Sequence, residues 1–117
     1  GSREDHIVPI NAAYASTQVL PGKKRFVMGA SGHIAGVINP PAKGKRSHWI
    51  RADGKLPATL DQWLDGATEH PGSWWTDWAG WLKGHAGKQI AAPKSYGKGT
   101  KFKAIEPAPG SYVKQKA

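Results

Sequence analysis

The sequence predicts an α/β fold that forms only part of a larger domain. Three observations carry this. Phe26-Val27-Met28 is an unbroken apolar run of strand length, helical periodicity stands on both sides of it, and 117 residues are few for a complete α/β enzyme. A strand covered on both faces reads as a continuous apolar run, and a complete enzyme of this class usually needs about 200 residues or more. Cut from such a sheet, the Phe26–Met28 strand loses its neighbours and leaves backbone groups unmet. The piece alone is therefore expected to be mainly helical, with one short strand and disordered segments.

The elements follow in order. Gly1-Ser2 reads as the remnant of a cleaved tag and is set aside. Residues 3–83 read as the C-terminal part of the domain and residues 84–117 as a basic Gly/Pro/Lys-rich tail. Between Ile7 and Leu20 a helix is expected. Pro9 suits its first turn, Ile10, Ala13, Tyr14 and Thr17 share one face, and Pro21-Gly22 ends it. Lys24 to Gly29 is the strand. Ala30-Ser31-Gly32 is a tight turn, which puts His33 just past the C-terminal end of a strand, where open α/β sheets bind ligands.

Residues 34–58 lack periodicity and read as loop. Thr59 and Gln62 stand at capping-box spacing before a short helix carrying Trp63 and Leu64. His70-Pro71-Gly72 breaks that helix. Ser73 is placed to cap a second one, with Asp77 near its positive end. Trp74, Trp78, Trp81 and Leu82 recur on this helix at helical spacing, as a packing face would. From Gly84 the tail reads as extended or disordered, with Phe102, Ile105, Tyr112 and Val113 available to pack on the parent domain.

The net charge is +9. Lys88, Lys94, Lys98, Lys101, Lys103, Lys114 and Lys116 of the tail face a single acid, Glu106, a distribution that suits an anionic partner or plain solvation. There is no cysteine, which excludes disulfides and thiolate metal sites. No apolar run approaches the roughly 20 residues of a membrane span, and no signal-peptide pattern is present. A soluble, cytoplasmic protein is expected.

Asp5 and His33 are the candidate catalytic pair. Asp5 lies at the end of a strand-to-helix loop, and a helix and a strand intervene before His33. In a parallel sheet that order brings both residues to one sheet edge. A carboxylate there accepts the imidazole Nδ1–H, and Nε2 is left to act as a general base on a nucleophile. The order nucleophile, acid, histidine is that of α/β-hydrolases. By spacing alone such a pair is weak evidence.

The local sequences are more specific. "REDHIVP", "RFVMGASGHIAGVINPPAKGKRSHW", "GSWWTDWAGWL" and "AIEPAPGSYVK" closely resemble the C-terminal end of the polyhydroxyalkanoate synthases, and the Trp-rich segment resembles the class I form. The resemblance runs over essentially the whole chain after Gly1-Ser2. It implies an α/β-hydrolase fold with a Cys-His-Asp triad that polymerises (R)-3-hydroxyacyl-CoA into a polyester and releases CoA. The Asp of "DHIVP" falls on Asp5 and the His of "GHIAGVINPP" on His33. The nucleophilic Cys would lie upstream, so the fragment should be inactive alone. Ile10 stands where the family often has Trp, which alters packing beside Asp5.

What else the resemblance implies follows from this chemistry. His33 would deprotonate a thiol of ordinary pKa about 8.5, and the thiolate would attack the thioester. His33 or Asp5 would deprotonate the next hydroxyl, a choice the sequence leaves open. Oxyanion donors would lie upstream. Partners implied are the acyl-CoA, the growing polyester and the upstream part of the enzyme, at the surface of a cytoplasmic polymer granule. Homodimerisation stays open, and no cofactor, metal or nucleic acid is implied.

Other residues carry weaker readings. His6 is the alternative base, though a neighbour of a catalytic acid more often plays a supporting or packing role. Ser31 lacks the G-x-S-x-G elbow, because His33 stands at its final Gly position. Gly29, Gly32 and Gly36 lack the G-K-[ST] of a phosphate loop and read as turn geometry. His48, His70 and His85 lack metal-ligand spacing. Lys43, Lys45 and Arg46 form a basic loop that is either solvated or meets CoA phosphates. Two other functions compete: a basic Trp-rich nucleic-acid-binding module, and a granule-surface interaction segment.

Overall fold

The computed structural model describes residues 1–116. The chain divides into two compact units, Gly1–Ala86 and Gly87–Ala117.

In the first unit, α1 spans Ile10–Val19 and begins directly after Pro9. The Pro9 carbonyl accepts from the Ala12 and Ala13 amides at 2.9 and 3.0 Å. Of the expected inner face, Tyr14 and Thr17 are buried and Ile10 packs against the core. β1 is Val27–Gly29, shorter than the expected strand. α2 is Leu60–Asp65, and the Thr59 side chain accepts from the Gln62 amide as the capping spacing predicts. α3 is Trp75–Lys83. Ser73 serves it from just outside, its Oγ accepting from the Trp75 amide at 3.0 Å.

The core is Tyr14, Phe26, Met28, Leu60 and Trp63. Phe26 meets Tyr14 and Trp63 edge-to-face, each at a centroid distance of 5.0 Å, the arrangement the ring quadrupoles favour. The Tyr14 hydroxyl donates to the Pro57 carbonyl at 2.6 Å.

Several expectations need correcting. Helical residues outnumber strand residues in the unit, as expected, but it has more than one strand. It holds a three-stranded sheet, β1-β2-β3, with β2 at Ser47–Ile50 and β3 at Thr68–Pro71. Both pairings are antiparallel, with Met28 opposite Trp49 and Trp49 opposite Glu69. β2 falls in the stretch read as loop, and β3 includes His70 and Pro71, two of the three residues read as a helix breaker. Both are four residues long and at least half polar, so neither shows apolar alternation. β3 is an edge strand, where a terminal Pro71 is tolerated.

Gly1-Ser2 also belongs to the fold. Ser2 is buried and forms a parallel bridge with Gly29. The Gly29 amide donates to Gly1 O at 2.9 Å, and the Arg3 amide to Gly29 O at 2.8 Å. β1 therefore has a neighbour on each side. Among the described residues the parallel relation expected of the sheet exists only here, with α1 as the crossover between the two segments.

The second unit contains a hairpin of β4, Gly97–Lys98, and β5, Phe102–Lys103, in place of the extended or disordered tail. Gly97 and Gly99 adopt positive φ, which glycine allows at no steric cost. The paired residues are too few and too polar to announce a strand. No described residue of this unit is buried, and Phe102, Ile105, Tyr112 and Val113 are all exposed. Among the described residues no helix is long and apolar enough to cross a membrane.

Candidate active site

Asp5 and His33 meet. Two segments run parallel, Gly1–Arg3 and β1, and each residue lies in the loop just beyond the C-terminal end of its segment. The loops are stitched together by the Glu4 amide, which donates to Ser31 O at 3.1 Å. Ser31 supplies that carbonyl from a left-handed backbone, φ +79°, a conformation that costs a non-glycine residue free energy.

His33 Nδ1 lies 2.8 Å from Asp5 Oδ2. An ionised carboxylate only accepts, so Nδ1 carries the hydrogen, and in the neutral imidazole Nε2 holds the free lone pair. The Asp5 side chain is only 7% exposed, whereas that of His33 is 41% exposed. The pair is thus buried on its carboxylate side and open on its imidazole side. Asp5 Oδ1 accepts from the Ile7 and Val8 amides, both at 2.9 Å. The Val8 amide above all, with help from the His33 hydrogen bond and the Ile7 amide, holds the carboxyl at about 2, below its ordinary 3.8 and against the opposing effect of desolvation.

The two glycines flanking the His33 turn are there for close approach. A Cβ on Gly29 would come within 2.9 Å of Gly36 O, and one on Gly36 would collide with the Ser2 side chain. Neither glycine adopts positive φ. His33 begins a helical turn in which the Gly36 amide donates to Gly32 O at 2.8 Å and the Ile38 amide to Ile34 O at 2.8 Å.

Other candidates fall elsewhere. His6 is exposed and, among the described residues, makes no side-chain hydrogen bond to the pair. Lys43, Lys45 and Arg46 are exposed beside a short 3₁₀ turn, Pro41–Lys43. His48 and His70 stack across β2 and β3 at 5.6 Å, and His85 lies against Trp81 at 4.3 Å. Among the described residues no three His, Asp or Glu side chains converge as a metal cluster would.

The tryptophans of α3 do not form the core that their spacing suggests. Trp78 and Trp81 are 45% and 43% exposed. With Trp74, Val27 and Val37 they line a cleft of about 410 Å³, at one side of which Arg25 pairs with Asp77. Sequence reading missed the Ile7 and Val8 amides, although an Asp opening a loop commonly binds amides two and three residues on. It also missed the indole N–H groups. Trp74 Nε1 donates to Gly36 O and Val37 O at 3.1 and 3.2 Å, and Trp75 Nε1 to Val37 O at 2.9 Å.

No family model matches the chain. Comparison with curated proteins is informative over its full length. All 117 residues align at 66% identity with the poly(3-hydroxyalkanoate) polymerase subunit PhaC of Cupriavidus necator. The match to the protein of the same name from Rhizobium etli is 44% over 115 residues, and to the poly(3-hydroxyalkanoate) polymerase of Methylorubrum extorquens 40% over 116 residues. The chain spans only 19%, 18% and 19% of these relatives. It belongs to the poly(3-hydroxyalkanoate) polymerase family, as a segment about one fifth the length of its relatives and similar to their C-terminal portion.

Proposed function

We propose that this chain supplies the acid and the base of a Cys-His-Asp triad to a poly(3-hydroxyalkanoate) polymerase of α/β-hydrolase fold. The nucleophilic cysteine would come from a part of the enzyme outside these residues, since the chain has none. The observation that carries the reading is the 2.8 Å contact of Asp5 with His33 Nδ1, on an imidazole whose other face is open.

In this reading His33 Nε2 takes the thiol proton as sulfur attacks the thioester carbonyl of (R)-3-hydroxyacyl-CoA. The tetrahedral intermediate collapses, the bond from carbonyl carbon to CoA sulfur breaks, and the CoA sulfur leaves with the proton from His33. The 3-hydroxyl of another unit then gives its proton to His33 and attacks the acyl-enzyme carbonyl; the bond from that carbon to the cysteine sulfur breaks, the new ester extends the chain, and the cysteine sulfur recovers the proton from His33. Asp5 stays ionised throughout and stabilises the imidazolium. The depressed Asp5 pKa suits that role: a carboxyl at about 2 is an electrostatic partner and a poor proton acceptor at neutral pH. The polymer would accumulate as a cytoplasmic granule with the enzyme at its surface.

The test is CoA release by the whole polymerase carrying substitutions at these two positions. His33→Gln is expected to lower turnover by about 10³-fold or more, and Asp5→Asn, which keeps shape but loses the acceptor pair, by a comparable factor. Near-normal turnover with His33→Gln would remove the imidazole from the reaction.

A further inference from the structure

We propose that Trp74 and Trp75 are positioning residues that lock the turn bearing His33, a role that rests on the function proposed above. The argument starts from the backbone. His33 opens a helical turn, and its last carbonyls need donors four residues on. For Gly36 O the helical donor would be residue 40, and for Val37 O residue 41. Both are proline, Pro40 and Pro41, and proline has no N–H to give. The same two prolines stop the turn from lengthening, so the carbonyls cannot be met by more helix.

The two indoles fill these places. Trp74 Nε1 reaches Gly36 O at 3.1 Å and Val37 O at 3.2 Å, and Trp75 Nε1 reaches Val37 O at 2.9 Å. Within the turn itself Val37 O receives only the Asn39 amide, at 3.2 Å. Adjacent residues on a helix diverge by about 100°, yet both indole N–H groups converge here on one short stretch of carbonyls. They can do so because Trp74 and Trp75 stand at the very start of α3, whose first turn is fixed by Ser73: Oγ accepts from the Trp75 amide and the Ser73 carbonyl from Thr76 Oγ1, both at 3.0 Å.

The turn is therefore held at both ends. The Asp5 carboxylate grips His33 at its start, and two indoles from a helix some 40 residues later in the chain grip its finish. The Asn-Pro-Pro and Trp-Trp segments form one device, in which the first removes two donors and the second returns them. The clamp touches no reacting atom. It fixes where Nε2 points relative to the nucleophile.

The experiment uses the whole polymerase with Trp74→Phe, Trp75→Phe and both together, which keep an aromatic ring and remove the N–H. The readout is the single-turnover rate constant for CoA release, which does not depend on the fraction of enzyme folded, together with KM. The double variant is expected to lose between about 10- and 100-fold in that rate constant with little change in KM, as displacement of a catalytic group by about an ångström does. Trp78→Phe, whose indole makes none of these bonds, is expected to stay within about twofold. The single variants keep the result readable if the double does not fold. A double or single-variant rate constant within about twofold of the parent, alongside a large loss for His33→Gln, overturns the clamp alone. If His33→Gln also keeps its rate, the triad assignment beneath it falls as well.

Discussion

Two tryptophan-bearing clusters in the first unit put the same side chain to different use. Around Trp63 the indole is 1% exposed and meets Phe26 edge-to-face, so it contributes apolar area and shape. Along α3 the rings are half exposed, and Trp74 and Trp75 hold backbone carbonyls through their N–H groups. Tryptophan brings both a large apolar body and one donor, and the surroundings decide which of the two matters. Helical spacing of aromatics identifies a shared face, but it does not say whether that face is a core.

The comparison predicts its largest difference in stability. Trp63→Ala should cost about 3–5 kcal/mol, the range for emptying a buried aromatic site, read from denaturant unfolding of this chain. The loss reaches Tyr14 as well, whose ring lies 6.3 Å away. A cost near 1 kcal/mol would mean that the Tyr14, Phe26 and Met28 side chains collapse into the space, and that the cluster is not the close-packed centre of the unit.

Acid separates the two regions next, because the aromatic cluster holds no carboxyl and the site does. Asp5 has its folded pKa lowered to about 2 from 3.8. A carboxyl depressed on folding contributes stability that is fully present above its unfolded pKa and is lost as pH falls through the folded one. The Asp5 contribution is thus expected to persist at pH 4 and above and to fade towards pH 2. Asp5→Asn should flatten that part of the stability-against-pH curve and leave the Trp63 fluorescence of the folded state unchanged. An identical acid limb in the variant would show that another group governs it.

Much of the site was legible beforehand, and the reasons are local. Asp5 and His33 follow the ends of two segments joined by a helix, an order that can bring them to one edge but is weak evidence alone; the resemblance of the segments around them singled the pair out. Thr59 and Gln62 announced the start of α2 because a cap is a short-range interaction between named positions. β2 and β3 were not legible: Ser47-His48-Trp49-Ile50 and Thr68-Glu69-His70-Pro71 owe their pairing to long-range partners, not to their own pattern. Ser2 was hidden for a similar reason, since only its bridge to Gly29 reveals that it is structural. The tryptophan clamp was hidden most deeply. Its logic requires knowing that Pro40 and Pro41 leave Gly36 O and Val37 O facing Trp74 and Trp75, nearly 40 positions away.

The smallest expected effect is the sharpest test of the contrast. Trp78 is 45% exposed, and among the described residues its recorded aromatic contact is a tilted one with Trp74 at 5.4 Å. Such a pair is worth about 0.5–1.5 kcal/mol. Trp78→Ala in this chain should therefore cost about 1 kcal/mol, well short of Trp63→Ala although the same atoms are removed. The reason lies in what each ring displaces: Trp63 fills a space closed on all sides, whereas Trp78 lies on the open wall of a cleft and gives most of its released surface back to water. If the two substitutions cost the same, the α3 stripe is packing surface after all, and the division of labour between the two clusters disappears.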